Sequence, residues 1–274
     1  MVDLHTHSTA SDGRLSPTEL AVLAASRRLT ALALTDHDTV AGLAEAAHAC
    51  TDRGIRFVPG IELEVEAEVG EFHLLGLGIA RWQSMVPGLV EVQGYREERN
   101  RRIFAKMNDA GIVGHYDEVE ALAVGGQVGR PHFARFLVDR GKVRTIQDAF
   151  NHFLGRGKLF YEKKVGLSLA RAVELVHRGG GLALIAHPFS LQRSVGELDR
   201  DLGAWIDAGL DGLEAWHPGA DPASCRKLEE LAQRRGLKVS AGSDFHGENR
   251  PDRELGLTSG GKPIDEDFLE GLLP

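Results

Sequence analysis

Four short segments place metal-capable side chains where an apolar run gives way to a loop: His5-Thr6-His7, Thr35-Asp36-His37-Asp38, Ala186-His187-Pro188 and Ser243-Asp244-Phe245-His246. In extended backbone, residues two apart point to the same face, so each His-x-His or Asp-x-His pair presents two ligands together. Any single segment is read more simply as a hydrogen-bonded surface histidine. Four of them, each at the carboxyl end of an apolar run, call for a shared explanation, because that is where sites assemble in parallel barrels and open α/β sheets. Burying many imidazoles and carboxylates together is costly unless each finds a partner, and a cation supplies one. Mixed imidazole and carboxylate donors suit Mn, Fe or Zn better than Ca. Neighbouring divalent ions of this kind clamp phosphoryl oxygens and activate water, so the chemistry they imply is hydrolysis. No Gly-x-x-x-x-Gly-Lys-[Ser/Thr] loop occurs, which argues against an NTPase.

The elements that must position these residues are legible in outline. Residues 2–5 form a brief strand. Ser16-Pro17-Thr18-Glu19 has the form of a capping box with proline at the first helical position. Residues 31–35 are a second apolar run, and Thr39 is placed to cap a helix through Cys50, with Asp38 as its N-terminal carboxylate. Residues 56–62 are a third strand, with a hairpin running on from Val65 to Ile79. There, Glu64, Glu66 and Glu68 alternate with Leu63, Val65 and Ala67, the pattern of a solvent face. The βαβ rhythm returns after Ser168, which can cap a helix ending at Gly179-Gly180-Gly181. A buried strand at 182–186 follows, then strands Gly212–Trp216 and Lys238–Ala241, separated by a helix that starts at Asp221-Pro222 and stops at Gly236. This pattern yields about six strands. Between Ile79 and Leu182 lie about a hundred residues, too many for one crossover and mostly helical in pattern. Residues 91–165 are therefore expected to form an inserted helical subdomain, leaving 1–90 and 166–274 to build an α/β barrel.

The chain has 274 residues, 40 acidic against 32 basic, for a formal charge of −8. With 42% hydrophobic and 26% charged residues, it has the balance of an ordinary globular protein rather than a disordered one. The net acidity excludes a general nucleic-acid-coating role, DNA included. Cys50 and Cys225 are too few for a disulfide framework or a thiolate site and read as small buried hydrophobes. The opening Met1-Val2-Asp3-Leu4-His5 lacks the basic and apolar regions of a secretory signal, and the longest apolar stretch, near 181–186, is too short to span a membrane. A cytoplasmic protein is expected. The charge is uneven: residues 91–165 carry 14 Lys and Arg against 10 Asp and Glu, a net of +4, which leaves −12 for the remainder. A solvated helix surface accounts for such a bias; a basic cap facing an anionic substrate accounts for it equally.

Taken in order, His5-Thr6-His7-Ser8, Thr35-Asp36-His37-Asp38, Gly60-Ile61-Glu62, His187-Pro188 and Ser243-Asp244-Phe245-His246 resemble the motifs of the PHP (polymerase and histidinol phosphatase) phosphoesterases. The resemblance spans almost the whole chain. It implies a distorted, TIM-like (β/α)7 barrel holding up to three divalent metal ions, Mn2+ first, with Fe2+, Zn2+ or Mg2+ as alternatives. It implies His5, His7 and Asp244 at a first metal, Glu62 bridging to a second held also by His73 and His187, and Asp12, His37 and His246 at a third. Some relatives carry histidine where this chain has Asp12. Asp36, placed to orient an imidazole or take a proton, and His187 are the candidate catalytic groups.

The implied reaction is hydrolysis of a phosphomonoester by a metal-bound hydroxide. Within the family, Gly129-Arg130-Pro131-His132-Phe133-Ala134-Arg135 resembles members that act on nucleoside 3′,5′-bisphosphates and on the 5′ ends of short RNA. The expected partner is therefore a small phosphorylated nucleotide, with short RNA second. A second phosphate away from the metals suits arginine, which binds it through two parallel hydrogen bonds. Arg130 and His132 are the first candidates, followed by Arg135, Lys163 and His217, although His217 serves equally well as a turn residue. Two alternatives are a phosphatase for histidinol phosphate or another small metabolite, and a non-catalytic metal-binding regulatory module. The basic insert counts against the first, and the complete ligand set against the second.

Overall fold

The computed structural model describes residues 1–123, 126–163 and 165–272. Seven strands pair in sequence order: β1 (Val2–Asp3), β2 (Ala31–Leu34), β3 (Arg56–Val65), β4 (Phe72–Leu77), β5 (Leu182–Ile185), β6 (Gly212–Trp216) and β7 (Lys238–Ala241). The pairings are parallel except around β4, which runs antiparallel to both β3 and β5. Beyond the ends of β1 and β7, Thr6 and Phe245 form a parallel bridge. His7 N donates to Phe245 O at 2.9 Å and Asp244 N to His5 O at 2.9 Å, which joins the first strand to the last. The sheet is thus the distorted seven-stranded barrel expected, with the return strand of the hairpin as the seventh.

Strand alternation builds two layers of core from one sheet. Ala31, Ala33, Val58, Leu75, Leu184 and Ala241 fill one apolar cluster, whereas Leu32, Leu34, Leu74, Ala183 and Ile185 belong to a second, shared with the helices. Both sets are buried, which is why these strands read as continuous apolar runs rather than alternating ones. The helices covering the sheet begin where their caps dictate. Helix α1 (Pro17–Ser26) opens on the Ser16–Glu19 capping box, with Glu19 N donating to Ser16 Oγ at 3.2 Å and Ser16 N to Glu19 Oε2 at 2.8 Å. Helix α2 (Leu43–Thr51) starts later than expected, with Gly42 rather than Thr39 at its N-cap; Thr39 Oγ1 instead accepts from Ala41 N at 3.2 Å.

Helix α3 (Val86–Asp109) leaves the barrel, and its two halves serve different cores. Leu89 and Val92 pack with the barrel's helical layer, while Ile103, Phe104 and Met107 belong to a separate cluster completed by Val119, Phe133, Leu137, Leu154 and Phe160. That cluster is assembled from α4 (Tyr116–Leu122), α5 (Arg130–Asp139), α6 (Ile146–Ala149) and the π-turn that follows. Helix α7 (Leu169–Gly179), capped by Ser168 and ended by Gly180 at φ 83°, returns the chain to β5. Helices α8 (Val195–Asp207) and α9 (Pro222–Arg234) complete the barrel's outer layer. Asp221 caps α9 by accepting from Ala223 N at 2.9 Å and Ser224 N at 3.1 Å.

Asp38 joins the two regions. It is buried at φ 52° and is not the helix-start carboxylate expected. Its Oδ2 pairs with Arg96 on α3, its Oδ1 accepts from Glu64 N at 2.9 Å, and its carbonyl accepts from Gln93 Nε2 at 2.9 Å and Gln127 Nε2 at 3.1 Å. The result is a polar rivet between β3, α3 and the chain entering α5.

Candidate metal centre and substrate cleft

His5, His7, His37, Glu62, His187, Asp244 and His246 all lie at the end of the barrel where the parallel strands finish. Being antiparallel, β4 begins at that same end, so His73, its second residue, reaches the same point. Close approach there requires a glycine: a side chain at Gly242 would put its Cβ 2.2 Å from His5 Cβ. Two site residues occupy left-handed backbone, His187 at φ 27° and Asp244 at φ 54°, the kind of strain that persists only where surrounding contacts enforce it.

Glu62 is the hub. Its Oε1 lies 2.8 Å from both His73 Nδ1 and His187 Nε2. Its Oε2 lies 3.0 Å from His37 Nδ1, 3.3 Å from His7 Nε2 and 3.4 Å from His5 Nε2. Asp244 Oδ1 stands 3.5 Å from both His5 Nε2 and His7 Nε2, whose nitrogens are 3.1 Å apart. Asp12 Oδ1 is 3.2 Å from His246 Nε2 and 3.9 Å from His37 Nε2. Four overlapping groups of these donors, each with its ligand atoms within 4.8 Å of one another, could hold metal ions: His7, Asp12, His37 and His246; His5, His7 and Asp244; His5, Glu62 and His187; His37, Glu62 and His73. All nine implied ligands take part.

Outer contacts decide which nitrogens carry protons. His5 Nδ1–H donates to Glu214 Oε1 at 2.9 Å, which leaves the Nε2 lone pair facing carboxylates and another imidazole. Ser190 Oγ–H donates to the Glu71 carbonyl at 2.8 Å, so its oxygen accepts from His187 Nδ1–H at 2.9 Å and Nε2 is the ring nitrogen that faces Glu62. His246 Nδ1–H donates to the Asp244 carbonyl at 2.8 Å, so His246 Nε2 meets Asp12 in the same way. In these tautomers each encounter sets a lone pair against a carboxylate oxygen, an arrangement satisfied by a cation between the two or by a second proton on the ring. Among the described residues, His7 Nδ1, His37 Nδ1 and Glu62 Oε2 are buried without any hydrogen-bond partner. The donor set fits divalent metal ions.

Electrostatics agree. Although burial opposes ionisation, the imidazoles around Glu62, Asp12 and Asp244 hold all three carboxyls well below the usual carboxylate range. Burial likewise opposes charge on His7, but Asp244 and Glu62 push it up to about 9. Burial dominates at His37 and lowers it well below the ordinary imidazole value. Without metal, protons supply the positive charge that these carboxylates demand.

The remaining candidates divide. Asp36 is buried, but its carboxylate accepts from Ser8 N at 2.8 Å, Ser8 Oγ at 2.7 Å and Ser11 Oγ at 2.6 Å. With no imidazole against it among the described residues, Asp36 ties down the loop carrying Asp12 and does not orient a histidine. Glu64, expected on a solvent face, is buried with its Oε1 3.4 Å from His73 Nε2; only Glu66 and Glu68 are exposed. His217 lies in the site, its Nε2 3.3 Å from Asp244 Oδ2 and its Nδ1 accepting from Gly219 N at 2.9 Å. Arg130 lines the cleft above the centre and pairs with Glu71. His132 caps its own helix, Nδ1 accepting from Gly129 N at 2.9 Å, and does not line the cleft. Arg135 pairs with Asp139 on the exposed side of α5, and Lys163 is exposed away from the cleft lining, so neither stands where a substrate contact requires.

The cleft measures about 1020 Å³ and is walled on one side by Arg96, Arg99 and Arg130 and on another by Arg250 and Arg253. Glu214, Arg99, Arg250 and Arg253 were not singled out from sequence. Only Glu214 left a usable signal there, a carboxylate inside the apolar strand Gly212–Trp216.

A family model for the PHP domain matches residues 3–172. The chain belongs to the PHP family. It is 40% identical to a 5′-3′ exoribonuclease of Haemophilus influenzae, covering 89% of each chain, and 38% identical to a 3′,5′-nucleoside bisphosphate phosphatase of Chromobacterium violaceum, covering 96% of this chain and 93% of that one. Among solved structures it resembles a metal-dependent phosphoesterase assigned in Bifidobacterium adolescentis (TM-score 0.88, 30% identity, covering 99% and 95% of the two chains). It also resembles a C. violaceum amidohydrolase with bound sulfate and no metal (TM-score 0.86, 36% identity, 99% and 97%). This PHP chain is a metal-dependent phosphoric ester hydrolase, and its substrate is a phosphorylated compound.

Proposed function

We propose that this PHP phosphoesterase releases the 3′-phosphate of nucleoside 3′,5′-bisphosphates, with 5′-3′ exonuclease action on short 5′-phosphorylated RNA as a second activity. The observation that carries the reading is one cleft combining a carboxylate–imidazole centre with arginines on two of its walls. A substrate with one phosphate needs only the centre; a second phosphate gives the arginines a partner. The exonuclease reading draws on the H. influenzae relative, the phosphatase reading on that of C. violaceum.

In this reading His5, His7 and Asp244 would hold one ion, Glu62, His73 and His187 a second, and Asp12, His37 and His246 a third, with Mn2+ as the first choice. Bound divalent ions would supply Lewis-acid stabilisation of the phosphoryl oxygens and activation of water. The chain's own residues do the rest. Glu214 and Ser190 fix the tautomers of His5 and His187 so that both Nε2 atoms are left as ligand atoms toward Glu62. His217 Nε2, turned toward Asp244, is positioned to meet a phosphoryl oxygen. Residues 91–165, whose net charge is +4, act as the basic cap over the cleft. The two buried, unpaired cysteines suit a reducing, cytoplasmic setting.

The test is a phosphate-release screen with Mn2+ on adenosine 3′,5′-bisphosphate, adenosine 3′- and 5′-monophosphates, a short 5′-phosphorylated RNA and histidinol phosphate. The highest kcat/KM is expected with the bisphosphate. A preference for histidinol phosphate would replace this reading with a small-metabolite phosphatase, and no turnover of any substrate would reject it.

A further inference from the structure

The arginines on the α3 side of the cleft are not equivalent. Arg96 is neutralised by Asp38, and Arg130 by Glu71. Among the described residues Arg99 has no such partner. It is 3% exposed, its one hydrogen bond to them runs from Nη2 to the neutral Asn100 Oδ1 at 3.1 Å, and its buried Nε donates to none of them. Among the described residues no carboxylate lies within ion-pair distance of it, yet it lines the cleft. Burial, with Arg96 and Arg130 nearby, outweighs the carboxylates of Glu64 and Asp38, which lie beyond ion-pair distance, and lowers its pKa to about 10, so it stays charged at neutral pH. A desolvated guanidinium with unused donors is costly in the empty protein, and an anion that takes up those donors offsets the cost.

We infer that Arg99 is the receptor for the non-reacting phosphate and sets the preference for a bisphosphate. The inference rests on the phosphatase reading above and adds to it the residue that makes the second phosphate matter. The planar fork of a guanidinium matches two phosphate oxygens, and at Arg99 no existing ion pair must be broken to form that contact. Arg253 is the rival: it too is buried with an unpartnered Nε. Its Nε, however, already stands 3.5 Å from Asp252 and 3.9 Å from Asp244. Beside Asp244 it meets the phosphate at the centre, not one held away from it.

The experiment compares kcat/KM for adenosine 3′,5′-bisphosphate with that for adenosine 3′-monophosphate, which carries the reacting phosphate alone, in Mn2+-loaded wild type, Arg99→Met, Arg99→Lys and Arg253→Met. The wild type should favour the bisphosphate. Arg99→Met should reduce that preference roughly 10- to 100-fold, the scale of a charged hydrogen-bonded contact, with Arg99→Lys recovering part of it. The melting temperature of ligand-free Arg99→Met should not fall below that of wild type, because the substitution removes a buried charge that has no ion pair among the described residues. A preference kept within about threefold in Arg99→Met, or lost in Arg253→Met instead, would overturn the assignment and leave the phosphatase reading standing. A wild type that hydrolyses neither nucleotide would defeat the reading itself. In that case the rise in melting temperature produced by the bisphosphate still tests Arg99, and Arg99→Met must abolish it.

Discussion

Replacing Glu214 by glutamine tests whether the centre depends on outer partners as much as on its ligands. The carboxylate accepts two hydrogen bonds, from His5 Nδ1 at 2.9 Å and from the backbone N–H of His187 at 2.7 Å. An amide cannot serve both. If its oxygen faces His187, its NH2 faces His5, and Nδ1 must become the acceptor. The His5 proton then moves to Nε2, the atom that faces His7, Glu62 and Asp244. If the amide oxygen faces His5 instead, two donors meet at His187, whose backbone at φ 27° loses the contact that holds it. Either arrangement removes one ligand from productive geometry while leaving side-chain volume unchanged. Loss of an outer-shell partner of this kind costs about 10- to 100-fold in metal affinity, or about 1.4–2.8 kcal/mol. Competition against a calibrated chelator, with Mn2+ content measured after dialysis, reads this without reference to turnover. A Glu214→Gln protein that bound Mn2+ within about twofold of wild type would refute the tautomer argument.

The ligands themselves should be more sensitive: His5→Ala should lower phosphatase kcat/KM by more than about 100-fold, beyond what an outer partner supplies, and full activity would remove His5 from the centre. Burial disfavours the charged His7 imidazole, yet Asp244 and Glu62 hold it near 9, so at pH 7 it carries a proton that a divalent ion must displace. Metal binding should therefore release at least one proton, and affinity should climb with pH toward 9; calorimetry in buffers of different ionisation enthalpy would show zero release if this is wrong. Chelation should lower the melting temperature, since ions present at about 100 times their Kd contribute about 2.7 kcal/mol; an unchanged melting curve in EDTA argues against bound metal. Asp38→Asn leaves Arg96 buried without its counter-charge and should cost about 3–5 kcal/mol in urea unfolding, with a loss under about 1 kcal/mol showing that the rivet contributes little.

Much of the centre was legible because its chemistry sits on strand ends, where residue type and period-two spacing are local signals. His5 with His7 and Asp244 with His246 illustrate this directly. Capping chemistry was equally readable, so Ser16, Ser168 and Asp221 start their helices as expected. What sequence spacing misjudged depends on long-range packing. Glu64 shares its strand parity with the exposed Glu66 and Glu68, but β4 and the segment at Leu167 cover it, so one alternating pattern spans a buried and a solvated stretch. Asp38 looks like a helix-start carboxylate until the side chain of Arg96, 58 residues away, lies against it. Arg130 and His132 stood out through a motif, whereas Arg99 sits inside a charge-rich helix where every arginine looks solvated. Its burial follows from which face of α3 turns toward the cleft, and a single sequence does not reveal that.

The geometry also shows why the nine ligands do not specify the centre by themselves. His5, His187 and His246 each become ligands in the right tautomer only because an acceptor of a different kind takes the other ring proton: a carboxylate from β6, a serine hydroxyl after β5, and a backbone carbonyl at Asp244. Two of those acceptors are tied to strained backbone, since Glu214 also holds the His187 N–H and the carbonyl belongs to Asp244 at φ 54°. Tautomer, backbone strain and ligand position are thus coupled across three strand ends. A sequence retaining every histidine of the motif but lacking Glu214 would look identical to a ligand-based reading, yet it would present one imidazole with its proton on the wrong nitrogen. The burden on Glu214 is larger than its absence from the motif implies, because one carboxylate sets both the ligand atom of His5 and the backbone position of His187, two imidazoles that meet beside Glu62 in one candidate metal group.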